Sequence, residues 1–398
     1  MEFLGYQYYR LIRIFLSWIS LWPYQQTLLK QIQAIVCIIV LVSSIVTQLL
    51  KLFTMEHDLN LILTDLAFAI PSVIYLLKYK TFYIKSREIR KLMERVRRDW
   101  NTLKDEQELE IIKKCAESGR IYLYTFAGII YPGTVLFILW TLLPDILDAV
   151  APLNETRPRQ LPFMAEYFLD QQKYFHPILL HMQLTAVVGI VTVVSTETLF
   201  FAYVHHVCGL FDVASYRIEH ALDESVTVLS ASSKINATHM KIIGAVDIHQ
   251  RAIEFFQYLM STFSSSYFIL IILGVASLSL NLFRLFQIIL IPGQRESSVP
   301  YVIFVSGHFY YMFICNYMGQ KVMDYSTGVS KKTYSTQWYA APVQTQKLLL
   351  FVMQRSMKSC KLIIGGIYPA SVEDFTTVTC ATTCCYDYDK LYFYFAPK

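Results

Sequence analysis

Long apolar segments separated by short polar ones dominate the pattern along the chain. Stretches of about 19 residues or more without a charged side chain occur at 31–50, 121–143, 178–196, 255–283 and 299–320. The stretch 59–77 is interrupted only by Asp65. Each is long enough to cross a hydrocarbon core of about 30 Å at about 1.5 Å per helical residue. A seventh stretch, 362–386, contains Glu373 and Asp374 and is therefore the weakest.

These segments predict an all-α, polytopic membrane protein with seven transmembrane helices. The predicted spans are 31–53, 59–79, 120–143, 176–204, 258–291, 299–323 and 362–386. Between the second and third spans, charged residues alternate with apolar ones at helical spacing, as at Leu92, Val96 and Leu103. That periodicity indicates helices that continue beyond the bilayer into a polar bundle. The whole chain, 1–398, is predicted to form one membrane domain.

Composition agrees with a membrane protein and narrows the function. Charged residues make up 16% of the chain and hydrophobic residues 55%, whereas soluble proteins have about 25% charged residues. The net charge of +5 is not gathered into a basic patch, so no nucleic-acid partner is expected. The usual nucleotide-binding, zinc-protease and serine-hydrolase motifs are absent from the sequence, which makes an enzyme the least favoured class.

No metal site or cofactor is predicted. The eight cysteines are scattered without a repeated C-x-x-C spacing, which argues against a zinc site or a disulfide framework. His205 and His206 lie beside Cys208, but no carboxylate follows at ligand spacing. We interpret this group as the polar end of a helix.

The distribution of basic residues predicts the orientation. The segments 1–31, 78–120, 205–255 and 319–361 contain 27 basic and 16 acidic residues, whereas 51–60, 144–175, 291–300 and 371–398 contain 7 basic and 12 acidic residues. Lys and Arg concentrate in cytoplasmic loops. The first set is therefore predicted to be cytoplasmic, with the N-terminus inside and the C-terminus outside. This orientation is opposite to that of a G-protein-coupled receptor.

Two glycosylation sequons lie on opposite sides in this topology. Asn154 begins the sequon Asn-Glu-Thr in a predicted outer loop, where a glycan can be attached. Asn236 begins Asn-Ala-Thr in a predicted inner loop and is expected to remain unmodified.

Asp65, Glu197 and Arg284 are ionisable residues that lie inside predicted spans. Such residues are costly in a bilayer and are often functional. Glu197 and Arg284 are near the ends of their helices, so a structural role is favoured for each. Asp65 and Arg284 lie at similar depth, and an ion pair between them is one hypothesis.

Aromatic and histidine side chains crowd the outer halves of several spans. Together they could line an apolar pocket that holds a small volatile molecule by burial rather than by charge, although any polytopic protein packs aromatic residues there. The candidate ligand-binding residues are Phe68, Tyr131, Phe137, Trp140, His181, Tyr301, Phe304 and His308.

The C-terminal half resembles the insect odorant receptor family. The residues that carry the resemblance are 249–268 (HQRAIEFFQYLMSTFSSSYF), Gly319-Gln320 with Asp324 and Ser326, Tyr334, Trp338-Tyr339 with Pro342, Leu348-Leu349-Leu350, 353–357 with Arg355 and Ser356, and 365–371 (GGIYPAS) with Phe375. Near the N-terminus, Trp22-Pro23 also fits this family's pattern.

The resemblance implies a tuning subunit that binds odorants and forms a tetrameric cation channel with a shared coreceptor, in the plasma membrane of olfactory neuron dendrites. It implies a split last helix, with a cytoplasmic anchor at 344–357 and a pore segment beginning near Ser371. The residues Glu373, Asp374, Thr376 and Thr379 would then line the pore. A preference of helix N-termini for carboxylates explains Glu373 and Asp374 equally well.

The tail departs from the family after Val378. Cys380, Cys384 and Cys385 follow, then Asp387 and other charged residues, where a hydrophobic stretch is expected. Either the outer pore mouth is unusual or the last exon is misread or alternatively spliced.

The loop 205–255 is too short to resemble the coreceptor. The alternatives are a gustatory receptor, a G-protein-coupled receptor if the orientation is reversed, and a transporter, which is disfavoured because no inverted repeat is present.

Overall fold

The computed structural model describes residues 4–25, 27–55, 58–151, 159, 161–223, 231–290 and 298–384. Over these residues the chain is almost entirely helical, and the all-α prediction is confirmed. The helices are α1 Tyr6–Trp18, α2 Leu28–Thr54, α3 Leu59–Ile84, α4 Ser86–Thr102, α5 Glu106–Val150, α6 Phe175–Asp223, α7 Ala231–Leu290, α8 Val299–Ser335, α9 Val343–Met357 and α10 Val372–Cys384. Two short strands, β1 Ile363–Ile364 and β2 Tyr368–Pro369, lie between α9 and α10.

Several helices begin at polar residues that satisfy the first free backbone N–H groups. The Thr27 hydroxyl accepts a hydrogen bond from the Lys30 amide at 3.3 Å, and the Asp58 carboxylate accepts one from the Asn60 amide at 3.0 Å. Asp105 caps α5 in the same way. Such caps stabilise a helix start by about 1 kcal/mol, so these local sequences fix where the long helices begin.

The predicted spans one to six fall on α2, α3, α5, α6, α7 and α8. Five of the described helices, α2, α3, α5, α6 and α7, are long and apolar enough to cross a membrane by length and composition. Helix α8 has 37 residues but contains many tyrosines and small polar residues. The two longest helices, α6 and α7, continue well beyond the predicted spans.

Helix α6 occupies the centre of the fold. It packs against α1, α2, α3, α5, α7 and α8. At the predicted inner end, the Arg217 guanidinium donates to both carboxylate oxygens of Glu108, at 2.6 and 2.8 Å, and to the Gly244 carbonyl at 2.9 Å. This two-pronged geometry fixes α5, α6 and α7 together.

The predicted anchor, 344–357, corresponds to helix α9, which packs on α7 and α8. Ser356 on α9 and the Nε2 atom of His249 on α7 lie 3.2 Å apart. Burial lowers the pKa of His249 to about 4, so its ring is neutral at pH 7 and can join this contact without a charge.

The last helix is split, as the resemblance implies. Residues from Leu362 to Ser371, predicted from hydropathy as the start of a span, instead contain the antiparallel pair β1 and β2. Gly365 and Gly366 have φ angles of +64° and +76°, which other residues rarely adopt. These glycines turn the chain back on itself, and the helix begins only at Val372.

Candidate ligand-binding site

A cavity of about 400 Å³ lies between α3, α5, α6, α7 and α8. Its volume falls within the range of about 300–1,000 Å³ that is usual for small-molecule sites. Most of the side chains that line it are apolar, including Ile74, Phe126, Ile130, Ile190, Val193 and Leu270. Such a wall favours an uncharged, largely apolar ligand.

Three glycines contribute to this space. Gly133, Gly274 and Gly307 line the cavity on three different helices, and a Cβ atom added at any of them would meet nothing within 4 Å. Because these positions have no side chain, they leave room on three of the helices that surround the cavity.

Pro71 on α3 also lines the cavity. A proline inside a helix leaves the carbonyl four residues earlier without its usual donor. Here that carbonyl, of Ala67, accepts a hydrogen bond from the Asn281 side-chain amide at 3.1 Å. This contact ties α3 to α7 next to the cavity.

Three of the eight candidate ligand residues, Phe137, Phe304 and His308, line the cavity. The rings of Phe137 and Phe304 meet edge to face at 6.1 Å. The Nδ1 atom of His308 lies 2.8 Å from the Phe304 carbonyl. These residues form part of the cavity wall on α5 and α8.

Three further candidates pack behind this wall. Phe68 lies 5.4 Å from Phe304 and 5.6 Å from Tyr301, measured between ring centroids. Phe163, in the segment 161–174 that precedes α6, stacks on Phe68 at 5.7 Å. Trp140 stacks on Phe137 at 6.3 Å. None of Phe68, Tyr301 and Trp140 is among the lining residues of the described structure, so their influence on a ligand would pass through Phe137 or Phe304.

The remaining two candidates lie elsewhere. Tyr131 faces away from the cavity and meets Phe15 of α1 at 5.7 Å. The His181 ring, on α6, contacts α2 and the segment 161–174. Its Nε2 atom is 2.9 Å from the Ser43 hydroxyl, and its Nδ1 atom is 2.8 Å from the Tyr167 hydroxyl.

The segment 161–174, which contains Tyr167 and precedes α6, is held on α2. The Glu166 amide donates to the Thr47 carbonyl at 2.9 Å, and the Glu166 carboxylate pairs with Lys51 at 3.3 Å. A hydrogen bond from the Phe168 amide, together with Lys51, lowers the pKa of the Glu166 carboxyl. The carboxylate therefore stays charged at pH 7 and maintains the contact.

A buried polar cluster closes the opposite end of the cavity. Lys78 on α3 forms an ion pair with Glu197 on α6, and the hydroxyls of Tyr267 and Tyr311 donate to the same carboxylate oxygen at 3.1 and 3.0 Å. Lys78 and Tyr311 line the cavity. Glu197, considered structural from its sequence position, thus joins four helices.

Asp65 and Arg284 do not form the ion pair that their similar depth suggested. Arg284 instead donates to the Gln287 side-chain oxygen at 2.7 Å. Within the described part of the chain, neither carboxylate oxygen of the buried Asp65 has a hydrogen-bond partner. Similar depth along two helices does not fix which faces meet.

The four candidate pore residues lie on α10. The Ser371 hydroxyl accepts a hydrogen bond from the Asp374 amide at 3.1 Å and also contacts the Asp374 carboxylate. Ser371 thus caps the start of α10, and the Asp374 carboxylate lies in the first turn of that helix, where a negative charge is favourable. These contacts support the helix-start explanation for Asp374. Glu373 and Thr376 are exposed, and Thr379 is half-buried.

Of the two sequons, Asn154 lies outside the described residues. Asn236 is an exposed residue on α7, whereas Thr238 of the same sequon is buried.

Comparison with known proteins agrees with this architecture. A family model described as 7tm Odorant receptor matches residues 58–382. Odorant receptor 22c from Drosophila melanogaster is 21% identical over 305 residues, which cover 74% of this chain and 73% of that protein.

Solved structures share the fold. The insect olfactory receptor OR5 from Machilis hrabei in complex with eugenol superposes with a TM-score of 0.76 at 14% identity, covering 95% of this chain and 96% of that chain. A second structure of the same receptor gives a TM-score of 0.72 at 15% identity, covering 96% and 97%. Since the family model spans most of the sequence and several helices are apolar enough to cross a membrane, this chain is a multi-pass membrane receptor that belongs to the 7tm odorant receptor family.

Proposed function

We propose that this chain is the tuning subunit of an odorant-gated cation channel and binds small volatile molecules in the cavity between α3, α5, α6, α7 and α8. The observation that carries the proposal is the cavity itself, which is large enough for such a molecule and mostly apolar. A coreceptor would complete the channel in a heterotetramer. The expected location is the plasma membrane of olfactory sensory neuron dendrites.

In this proposal the N-terminus is cytoplasmic and the C-terminus is outside. Helices α2, α3, α5, α6, α7, α8 and α10 would be the seven spans of one membrane domain. The excess of basic residues in the segments 78–120 and 319–361 supports this orientation. The cavity would then open in the outer half of the bundle.

Helix α8 offers a physical link from the ligand to the pore. Its residues Phe304 and Tyr311 line the cavity. Further along the same helix, Phe313 meets Phe375 of α10 edge to face at 5.6 Å, and the Tyr368 hydroxyl donates to the Asn316 side-chain oxygen at 2.9 Å. A ligand that shifts α8 would therefore shift α10, on which Glu373, Asp374, Thr376 and Thr379 would line the pore.

Helix α9 has the surface expected of a subunit anchor. Leu350 and Phe351 are 49% and 68% exposed on one side of the helix, whereas Leu349 and Val352 are buried against the bundle. Exposed apolar side chains on a helix outside the membrane indicate a protein contact. In the proposed channel the partners are neighbouring subunits.

Current recordings test this function. Cells that express the chain with an insect odorant receptor coreceptor should give cation currents within milliseconds of odorant application, without G-protein signalling. Phe137→Ala should change the order of potency across a broad odorant panel, because it widens the cavity wall. Trp140→Ala, one layer behind Phe137, should change it less.

The control in these recordings is surface labelling of each variant. A current that disappears when G-protein signalling is blocked would refute the channel mechanism. An odorant ranking unchanged by Phe137→Ala, at normal surface expression, would show that ligands do not bind in this cavity.

Glycosylation tests the orientation. In the proposed topology a glycan is attached at Asn154, so Asn154→Gln should abolish the mass shift on deglycosidase treatment. Asn236→Gln should leave it unchanged, because Asn236 lies on α7 at the proposed cytoplasmic side. The measurement is electrophoretic mobility before and after treatment. A shift lost only with Asn236→Gln would mean that the chain is inserted the other way.

A further inference from the structure

The cavity has one strongly polar end. Lys78 and Tyr311 line it, and the Lys78 ammonium lies 5.0 and 5.4 Å from the ring centroids of Tyr267 and Tyr311. The Lys78 side chain is only 3% exposed and that of Glu197 is fully buried. A ligand in the cavity would therefore meet the ammonium away from bulk water.

At this end of the cavity, three donor groups share one acceptor atom. Lys78, Tyr267 and Tyr311 all donate to Oε1 of Glu197. An ammonium group has three donors, and in the described structure the Glu197 carboxylate is its hydrogen-bond partner. The two aromatic faces stabilise the positive charge but accept no conventional hydrogen bond. Lys78 thus retains donor capacity toward the cavity.

Two other polar groups of the wall have partners on their own helices. The Thr134 hydroxyl donates to the Ile130 carbonyl at 3.0 Å, and His308 Nδ1 contacts the Phe304 carbonyl at 2.8 Å. Each contact lies within one helix, and together they occupy the Thr134 hydroxyl and one ring nitrogen of His308. Lys78 differs because its partner, Glu197, belongs to another helix.

The opposite charges of Lys78 and Glu197 determine which acceptor group on a ligand is favoured. Lys78 and Glu197 together carry no net charge, so a carboxylate ligand would gain attraction from the ammonium but meet repulsion from the glutamate at nearly the same distance. It would also lose its hydration on entering an apolar cavity. A neutral oxygen acceptor avoids both penalties and still receives a charge-assisted hydrogen bond.

We infer that this receptor selects volatile molecules with a neutral oxygen acceptor, such as a ketone, aldehyde or ester, whose oxygen accepts a hydrogen bond from Lys78 while the hydrocarbon part packs against Phe137 and Phe304. The inference rests on the proposed function, because it assumes that ligands occupy this cavity. It assigns Lys78 as a specificity-determining residue and gives the bound ligand one orientation.

The first test uses the unmodified chain with a coreceptor. Ketones and esters are compared with hydrocarbons of the same carbon skeleton, and with the corresponding acids, by the concentration that gives half-maximal current. A hydrogen bond to a charged group contributes enough to change potency by about tenfold or more. We expect the neutral oxygenated ligands to be at least about tenfold more potent than either comparison set. Equal potency of hydrocarbons, or greater potency of acids, would overturn the inference.

The second test removes the donor without leaving a buried charge. Lys78→Met combined with Glu197→Gln keeps side chains of similar length and leaves an amide oxygen for Tyr267 and Tyr311. The potency advantage of the oxygenated ligands should fall to about twofold or less, whereas hydrocarbons still activate. Lys80→Met, an exposed change of the same type on the same helix, should preserve the advantage. An advantage retained in the double variant would overturn the role of Lys78.

These outcomes separate the inference from the proposed function. If hydrocarbons and oxygenated ligands both gate current with similar potency, the proposed channel function stands and the selectivity inference fails. If no volatile ligand of either class gates current in the unmodified chain with a coreceptor, the proposed function itself fails. Because the unmodified chain decides the first test, the inference does not depend on the folding of any variant.

Discussion

Glu197→Gln alone is expected to destabilise the folded receptor by about 3–5 kcal/mol. The substitution leaves the Lys78 ammonium buried opposite a neutral amide, with Tyr267 and Tyr311 as its other neighbours. Removing one partner of a buried ion pair costs more than the pair itself contributes, because the remaining charge cannot return to water. Lys78→Met should have a cost of similar size.

The double variant Lys78→Met with Glu197→Gln should be more stable than either single variant. It buries no charge and keeps an acceptor for both tyrosine hydroxyls. The measurement is the thermal unfolding midpoint of the detergent-solubilised protein, together with the fraction that reaches the cell surface.

Glu94→Gln provides the matched control. Glu94 pairs with Arg90 on the same helix, and both side chains are 46% exposed, so the change should cost less than about 1 kcal/mol. If the two single losses at Lys78 and Glu197 simply added in the double variant, the two residues would not be coupled and the interpretation of the cluster would be wrong.

Gly319→Ala is expected to disturb the contact between α8 and the segment that leads into α10. A Cβ atom at this position would lie 2.1 Å from the Ala370 carbonyl oxygen and 2.9 Å from its Cβ atom. Backbone atoms cannot rotate away as a side chain can, so α8 and the residue that follows β2, Ala370, must move apart. Overpacking of this kind typically costs about 1–3 kcal/mol and sometimes more.

The expected readout is a large loss of odorant-evoked current with a lower unfolding midpoint. Gly328→Ala is the control on the same helix, because an added Cβ there meets nothing within 4 Å. It should be neutral or stabilising by up to about 1 kcal/mol, since alanine favours a helix. Equal behaviour of the two variants would show that the close approach at Gly319 has no energetic consequence.

The agreement between sequence and structure is best for the long helices. The charge-free stretches 31–50 and 121–143 lie within α2 and α5, because hydropathy depends only on which residues are neighbours in the chain. The sequence predicted the ends of the helices less well. Helix α7 begins at Ala231, far before its predicted span at 258, because a helix that leaves an apolar environment can continue when packing partners are present.

The candidate site was predicted only in part. Phe137, Phe304 and His308 reach the cavity, whereas Tyr131 points to α1 and His181 to α2. Depth along a span can be read from sequence, but the direction of a side chain around the helix depends on how each helix packs against its neighbours. Gly133, Gly274 and Gly307 were not singled out, because a glycine in a membrane helix has the same sequence signal whether it faces a partner helix or a void.

Lys78 was missed for a related reason. It lies near the basic segment 78–120 and was counted with the inner loop residues that set the orientation. The structure pairs it with Glu197, which is 119 residues away in sequence. No local sequence pattern indicates a contact at that separation. The signal that could have found it is the pairing of two unmatched intramembrane charges of opposite sign, at the inner ends of the second and fourth spans.

The sequence by itself determined that this protein is helical, apolar, divided into long spans, and similar to odorant receptors, because these properties follow from local composition and short motifs. The tertiary structure decided which faces meet: the ion pair of Lys78 with Glu197, the unpaired Asp65, the turn at Gly365 that divides the last helix, and the void between five helices. Contacts of this kind depend on the rotation and register of each helix against the others, and hydrophobic burial alone does not distinguish among the many packings that bury the same area.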